Sequence, residues 1–270
     1  MGYQYILVEK RDGVLTITMN RPEKHNPLNQ TVIEEILGAA KEAEADREIG
    51  PIVLKGAGRS FCSGFDLTPQ PGRVAAGEKS IRDDINDMTK ASGRLGELWN
   101  LTKPVIAQVQ GYCLAGGTDL AMHCDMIVCS EDAQFGFPAV RSMGAPPTHM
   151  WTYHVGPQWA KRMLLTGDMI DGKTAERIGL ALKAVPLAQL DAEVHKIANN
   201  MAAIPYELLA ANKSICNKAV EAMGRTLVQQ MALEVDAIAH RAQATIDFSH
   251  KMKAKGVKAA LQERDAKFVK

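Results

Sequence analysis

The sequence has almost no net charge. Its 32 Lys and Arg stand against 31 Asp and Glu, a formal +1 over 270 residues. A chain so balanced offers no broad basic field for nucleic acid or for an anionic membrane surface. No stripe of basic residues interleaved with aromatics takes its place, so RNA binding is disfavoured. Selectivity for a charged ligand must come from a local pocket. No apolar run approaches the roughly 20 residues that cross a bilayer. The cysteines are few and odd in number: Cys62, Cys113, Cys124, Cys129 and Cys216. None forms a CxxC pair, so neither a disulfide framework nor a metal site is expected, and the thiols fit a reducing cytoplasm. Met1 to Lys10 is polar and includes Glu9, unlike a secretory or transit segment, and Phe268-Val269-Lys270 is neither a retention nor a peroxisomal signal. There is no low-complexity tract and no repeat of 20–50 residues. What remains is 46% apolar content, enough for one large core or two modest ones.

Gly13 to Asn20 alternates β-branched and apolar residues and predicts a strand, ended by Arg21-Pro22. Leu28 to Asp46 carries Val32, Ile36, Ala39, Ala40 and Ala43 at helical spacing. Further strands are predicted at Ile52–Gly56, Pro104–Val109 and Met126–Cys129, with a helix over Ile81–Trp99 and another from Thr118 to Cys124. Thr68 to Lys79 is rich in Pro, Gly and Ala and is expected to be a mobile loop. Strand, glycine turn and helix alternate through the first half, so βα units are expected. From Gln158 onward almost everything reads as helix, with Ala219 to Ile246 as one long amphipathic segment.

Two glycine turns carry the chemical interest. Cys62-Ser63-Gly64-Phe65-Asp66 follows one strand, and Leu114-Ala115-Gly116-Gly117 leads from another into a helix. Glycine tolerates the backbone angles that turn N–H groups outward, and a helix start adds unpaired N–H groups and a positive dipole end. Spacing alone is equally satisfied by two ordinary tight turns. As a pair they could hold a developing oxyanion, where one donor contributes roughly 3 kcal/mol.

The order of these pieces resembles the enoyl-CoA hydratase/isomerase (crotonase) superfamily. Arg21-Pro22-Glu23-Lys24-His25-Asn26-Pro27-Leu28 is similar to its RPxxxNAL, and Phe61-Cys62-Ser63-Gly64-Phe65-Asp66-Leu67 to its FxAGxDL. Lys103-Pro104-Val105-Ile106-Ala107, Gly111 to Leu120, Cys124 to Val128, Ala133-Gln134-Phe135-Gly136 and Leu164-Leu165-Thr166-Gly167 extend the likeness nearly end to end. The resemblance implies an α/β fold: a crotonase-like ββα spiral core over residues 1–200 and a C-terminal helical oligomerisation region over 201–270 that builds a homo-oligomer, a trimer or hexamer. It implies an acyl-CoA substrate whose thioester oxygen is bound as an enolate by the N–H groups of Phe65 and Gly116. No cofactor is required; coenzyme A is part of the substrate. Lys24, His25, Asn26, Ser63 and Phe65 match the coenzyme A-binding positions, with main-chain atoms at His25 and Ser63 on the ligand and Lys24 near phosphate. The terminal segment Lys255 to Leu261, with Phe268, resembles the family's last helix, whose Lys and Phe often reach a neighbour's nucleotide. Lys103 is expected in solvent.

Asp119 falls where family hydratases carry their first catalytic glutamate, one methylene shorter. The second glutamate's place, after Phe135-Gly136-Phe137-Pro138, holds Ala139, which cannot transfer a proton. The Pro-Gly-Ala-Gly-Gly-Thr loop that follows in relatives is replaced by a shorter Arg141-Ser142-Met143-Gly144-Ala145-Pro146-Pro147-Thr148. His149 is a candidate acid/base for the missing function, and Arg141 a candidate for binding a substrate carboxylate or pairing with an acid. His123 is expected to be a packed helix residue. Arg82 and Asp83 are expected to face the acyl pocket. An enoyl-CoA hydratase-like lyase is the leading expectation. Isomerisation, decarboxylation or C–C hydrolysis through the same enolate, and acyl-CoA binding without catalysis, are the alternatives that Ala139 raises.

Overall fold

The computed structural model describes residues 2–68 and 79–268. Strands β1 (Ile6–Arg11) and β2 (Val14–Met19) form a hairpin turned at Asp12-Gly13, both with positive φ. Helix α1 (Gln30–Ala45) follows, capped by the Asn29 side chain, which accepts from Val32 N–H. Then come β3 (Ile52–Gly56), α2 (Ile81–Lys90), the short α3 (Gly96–Trp99), β4 (Val105–Val109), β5 (Tyr112–Leu114), α4 (Gly116–Met122), β6 (Met126–Ser130) and β7 (Gln134–Gly136). The chain continues through α5 (Trp151–Thr166), β8 (Met169–Asp171), α6 (Gly172–Arg177), β9 (Lys183–Val185) and α7 (Leu187–Ala202). It ends in α8 (Tyr206–Ala222), α9 (Arg225–Ala239), α10 (Gln243–Lys255) and α11 (Val257–Asp265).

One sheet has the order β1-β2-β3-β4-β6-β9, parallel except for β1, and a second has the order β5-β7-β8. The central strands are buried on both faces, as parallel strands are. Val14, Val53, Ile106 and Val128 pack beneath Leu190, Val194 and Ala198 of α7. The alternate residues Ile17, Leu54, Ala107 and Ile127 join α1 and α4 in the main core. This α/β architecture with a helical C-terminal region is the one expected.

Several local expectations change. β1 was not anticipated: apart from Ile6 it is exposed, so it lacks the alternation that marks its partner. The first turn of α4 begins at Gly116, two residues early. The segment expected as one helix over Ala219–Ile246 is three, because Gly224 takes a left-handed φ of 87° and ends α8, and the chain breaks again before Gln243. Short strands β8 and β9 interrupt the helical half. The loop expected over Thr68–Lys79 falls largely outside the described residues.

Lys103 also corrects its expectation. It is 1% exposed, and its ammonium donates to the carbonyls of Ala43 and Asp46. Those carbonyls lie at the C-terminal end of α1, where the helix dipole favours a cation. Burial lowers its pKa. Another buried lysine ties the helical region to the core: Lys213 of α8 reaches Asp125 at 2.8 Å and the Lys103 carbonyl at 3.0 Å.

Candidate active site

The two glycine turns meet. Strand pairing sets them side by side, with Cys62 bridging Cys113 and Leu28 bridging Phe65. A Cβ placed on Gly64 would lie 3.0 Å from the Leu114 carbonyl and 3.5 Å from Gly116 N, and Gly64 has a φ of 106° that side chains resist. Ala115 has a φ of 49°, the rare non-glycine positive value that swings the chain into α4. Its N–H donates to the Gly136 carbonyl at 2.9 Å, which anchors the turn on β7. Among the described residues, neither Phe65 N–H nor Gly116 N–H donates to a backbone carbonyl. Both residues wall the same cavity of about 1510 Å³. The Phe65 ring lies over Gly116, where a Cβ would come within 2.6 Å of it.

Asp119 sits on the first turn of α4 and is fully buried. Neither carboxyl oxygen has a hydrogen-bond partner, which is rare for a buried polar group and calls for an explanation such as a catalytic role. Burial pushes its pKa up to about 8. The nearby Thr148 hydroxyl lowers it in part, and the charge of Asp236 raises it. Asp119 itself is not among the residues that line the cavity, although Gly116, at the start of the same helix, is.

Ala139 does line the cavity, so the wall is apolar at the position where the resemblance implies a second glutamate. His149 does not. It faces a separate apolar groove between the 140–149 segment and α9, with Nε2 2.8 Å from the Thr152 hydroxyl, and burial lowers its pKa. Arg141 pairs with acids of its own chain: Asp265 at 3.1 Å, Asp168 at 3.8 Å, and the Phe268 ring 3.9 Å beneath its guanidinium. The last helix and Phe268 therefore close over this chain's own cavity, and Lys258 and Leu261 join its wall. His123 is packed, as expected. A carbonyl only accepts, so Nδ1 donates to the Asp119 carbonyl at 2.7 Å, and Nε2 accepts from the Gln229 amide at 2.8 Å. Burial holds its pKa down to about 4.

The residues matched to coenzyme A divide. His25 and Ser63 line the cavity, but their main-chain N–H groups are engaged, His25 with Pro22 O and Ser63 with His25 O. The Ser63 hydroxyl donates to the Lys24 carbonyl at 3.3 Å, and the His25 ring meets the Tyr112 ring edge-on at 5.4 Å. Asn26 is buried and works within the protein: its amide donates to Ala57 and Ser60 carbonyls and its oxygen accepts from Arg21 N–H. Lys24 is exposed and outside the cavity wall.

This arrangement agrees with what the chain resembles. Residues 9–270 match the family model described as enoyl-CoA hydratase/isomerase. The chain belongs to that family. A probable enoyl-CoA hydratase of Rhizobium meliloti is 35% identical over 227 residues, 82% of this chain and 84% of that protein. One of Mycobacterium bovis is 31% identical over 265 residues, covering 94% and 95%. The solved enoyl-CoA hydratase of Mycobacterium smegmatis superposes with a TM-score of 0.91 at 31% identity, covering 98% of this chain and 94% of that one.

Against that family pattern, the cavity holds acids that sequence reading missed. Arg82 and Asp83 do not line it. Asp83 instead bonds Ser80 at the start of α2, and the neighbouring Asp84 faces inward. Asp84 Oδ2 is 2.8 Å from His240 Nδ1, and His240 Nε2 is 3.5 Å from Asp236 Oδ1. The only sequence signal was an Asp and a His four residues apart on a largely apolar helix.

Proposed function

We propose that the chain is an enoyl-CoA hydratase-like lyase that adds water across the double bond of an enoyl-CoA through a thioester enolate. The observation that carries this reading is the pairing of two unspent N–H groups, Phe65 and Gly116, with a partnerless carboxyl one helical turn behind them. An α-proton beside a thioester is far too weakly acidic for a side-chain base unless the oxygen is stabilised, and preorganised N–H donors do that. Asp119, protonated near neutral pH, is suited to deliver a proton to the α-carbon. The relatives named as hydratases favour hydration over the isomerase, decarboxylase and C–C hydrolase outcomes.

Coenzyme A enters as part of the substrate, beside His25 and Ser63, with Lys258 as a cationic neighbour for phosphate. No cofactor is needed for this chemistry. Large apolar side chains stand exposed on α8 and α9, among them Ile215, Leu227, Val235 and Ile238, and a surface of this kind suits a homo-oligomer, a trimer or hexamer. All five cysteines are free, which suits a cytoplasmic setting. Among the described residues no helix is long and apolar enough to cross a membrane.

The test is turnover on a panel of enoyl-, dienoyl- and β-ketoacyl-CoA thioesters. Hydration of at least one enoyl-CoA is expected. Tight binding without turnover of any member would replace the enzyme by an acyl-CoA-binding protein.

A further inference from the structure

The apolar Ala139 leaves hydration one carboxylate short, because one group must activate water while another handles the α-proton. Five described acids wall the cavity: Asp84, Asp87, Asp168, Asp236 and Asp265. Asp168 and Asp265 pair with Arg141, Arg162 and Arg264. Asp87 pairs with Lys79, and Asp84 with His240 and Arg241. Asp236 alone among them meets no Lys or Arg. It is 4% exposed.

Its setting is built. The loop that leaves Ala139 turns back so that Ala145 N–H donates to Asp236 Oδ1 at 2.7 Å. Among the described residues, Oδ2 has no hydrogen-bond partner. Gly144 makes this approach feasible: a Cβ there would collide with Asp236 Oδ1 and come within 3.1 Å of the His240 ring. The shortened loop and the α9 acid therefore fit each other. Asp236 is also near enough to Asp119 for its charge to be felt there.

We infer that Asp236 is the second catalytic carboxylate of this chain, holding and deprotonating the water that adds to the β-carbon, in the role left vacant at Ala139. The inference rests on the hydratase reading above. A water O–H bond breaks and its proton passes to Asp236 while the oxygen bonds the β-carbon. The double-bond electrons move to the thioester oxygen, held by Phe65 and Gly116. The enolate then takes a proton from Asp119, and proton return from Asp236 to Asp119 restores the site. His240, tied to Asp84 on α2, orients Asp236 from the same helix. Burial raises Asp236 to about 6, with His240 and the Ala145 N–H opposing and Asp84 adding to the rise. Near neutral pH it is thus ionised, a base, while Asp119 stays protonated, an acid.

The test is Asp236→Asn, which keeps an oxygen for Ala145 N–H. Crotonyl-CoA hydration is expected to fall at least about 100-fold, with acetoacetyl-CoA binding within about threefold of wild type and the melting temperature not lowered. Wild-type kcat/KM is expected to fall as pH drops through about 6, and this limb is expected to vanish from the variant's residual activity. A variant that keeps more than a third of wild-type turnover would overturn the assignment. So would parallel loss of ligand binding and folding, which marks a structural role. A wild-type profile flat between pH 5 and 7 would overturn it without any variant. A wild-type chain that hydrates no enoyl-CoA removes the hydratase reading itself, and the role of Asp236 with it.

Discussion

Replacing Asp119 by Asn is expected to make the protein more stable at neutral pH and nearly inactive. The carboxyl has a reference pKa of 3.8, raised by burial to about 8 in the fold. A folded pKa above the unfolded one means that the native state holds the proton more tightly. The resulting stabilisation is complete below pH 3.8 and is lost as pH rises toward 8, with a slope of about 1.4 kcal/mol per pH unit. By pH 7 the wild type should have lost on the order of 4 kcal/mol relative to acid, three pH units at that slope. Asparagine has no proton to lose, so the variant escapes this decline. Urea unfolding of both proteins at fixed concentration, from pH 4.5 to 8.5, reads the difference directly, because every other titrating group is shared. The stability gap should widen in favour of the Asn protein as pH rises, while turnover falls at least about 100-fold. Parallel pH profiles would refute the reasoning, since they would mean that Asp119 is ionised in the native state and not held in a dry, partnerless site.

Other perturbations probe the neighbouring parts. Gly64→Ala forces a side chain onto a φ of 106° and against the Leu114 carbonyl, so Phe65 N–H should rotate away and kcat should drop by roughly 100-fold or more, measured by steady-state hydration. Lys213→Ala strands half-buried Asp125 without its buried cation and should cost about 3 kcal/mol, read as a large fall in denaturation midpoint. Arg141→Ala removes the contacts to Asp265 and Phe268. Limited proteolysis should then cut the α11 segment sooner, with KM for acyl-CoA rising more than kcat falls. The Asp236→Asn variant described above adds the pH profile.

Much of the fold was legible because its signals are local. The alternation in β2 reports a strand packed between two layers, and the helical spacing of Val32, Ile36, Ala40 and Ala43 reports α1. β1 was not, because a mostly exposed edge strand carries no pattern of burial. The long C-terminal helix was overextended because Gly224 and the break before Gln243 lie within an unbroken apolar periodicity.

The sequence by itself determined the two glycine turns, the acid one helical turn beyond the second of them, the alanine where a second acid was expected, and the neutral charge balance that excludes a broad electrostatic partner. Only the tertiary structure decided which side chains share the cavity. It turned Asp84 inward instead of Asp83, placed Lys103 under the end of α1, sent His149 to another groove, and joined Asp236 and His240 of α9 to the loop after Ala139. The physical reason is range. Turn chemistry and periodicity act over a few neighbouring residues, whereas the rotation of a helix about its axis is set by what packs against it from far along the chain.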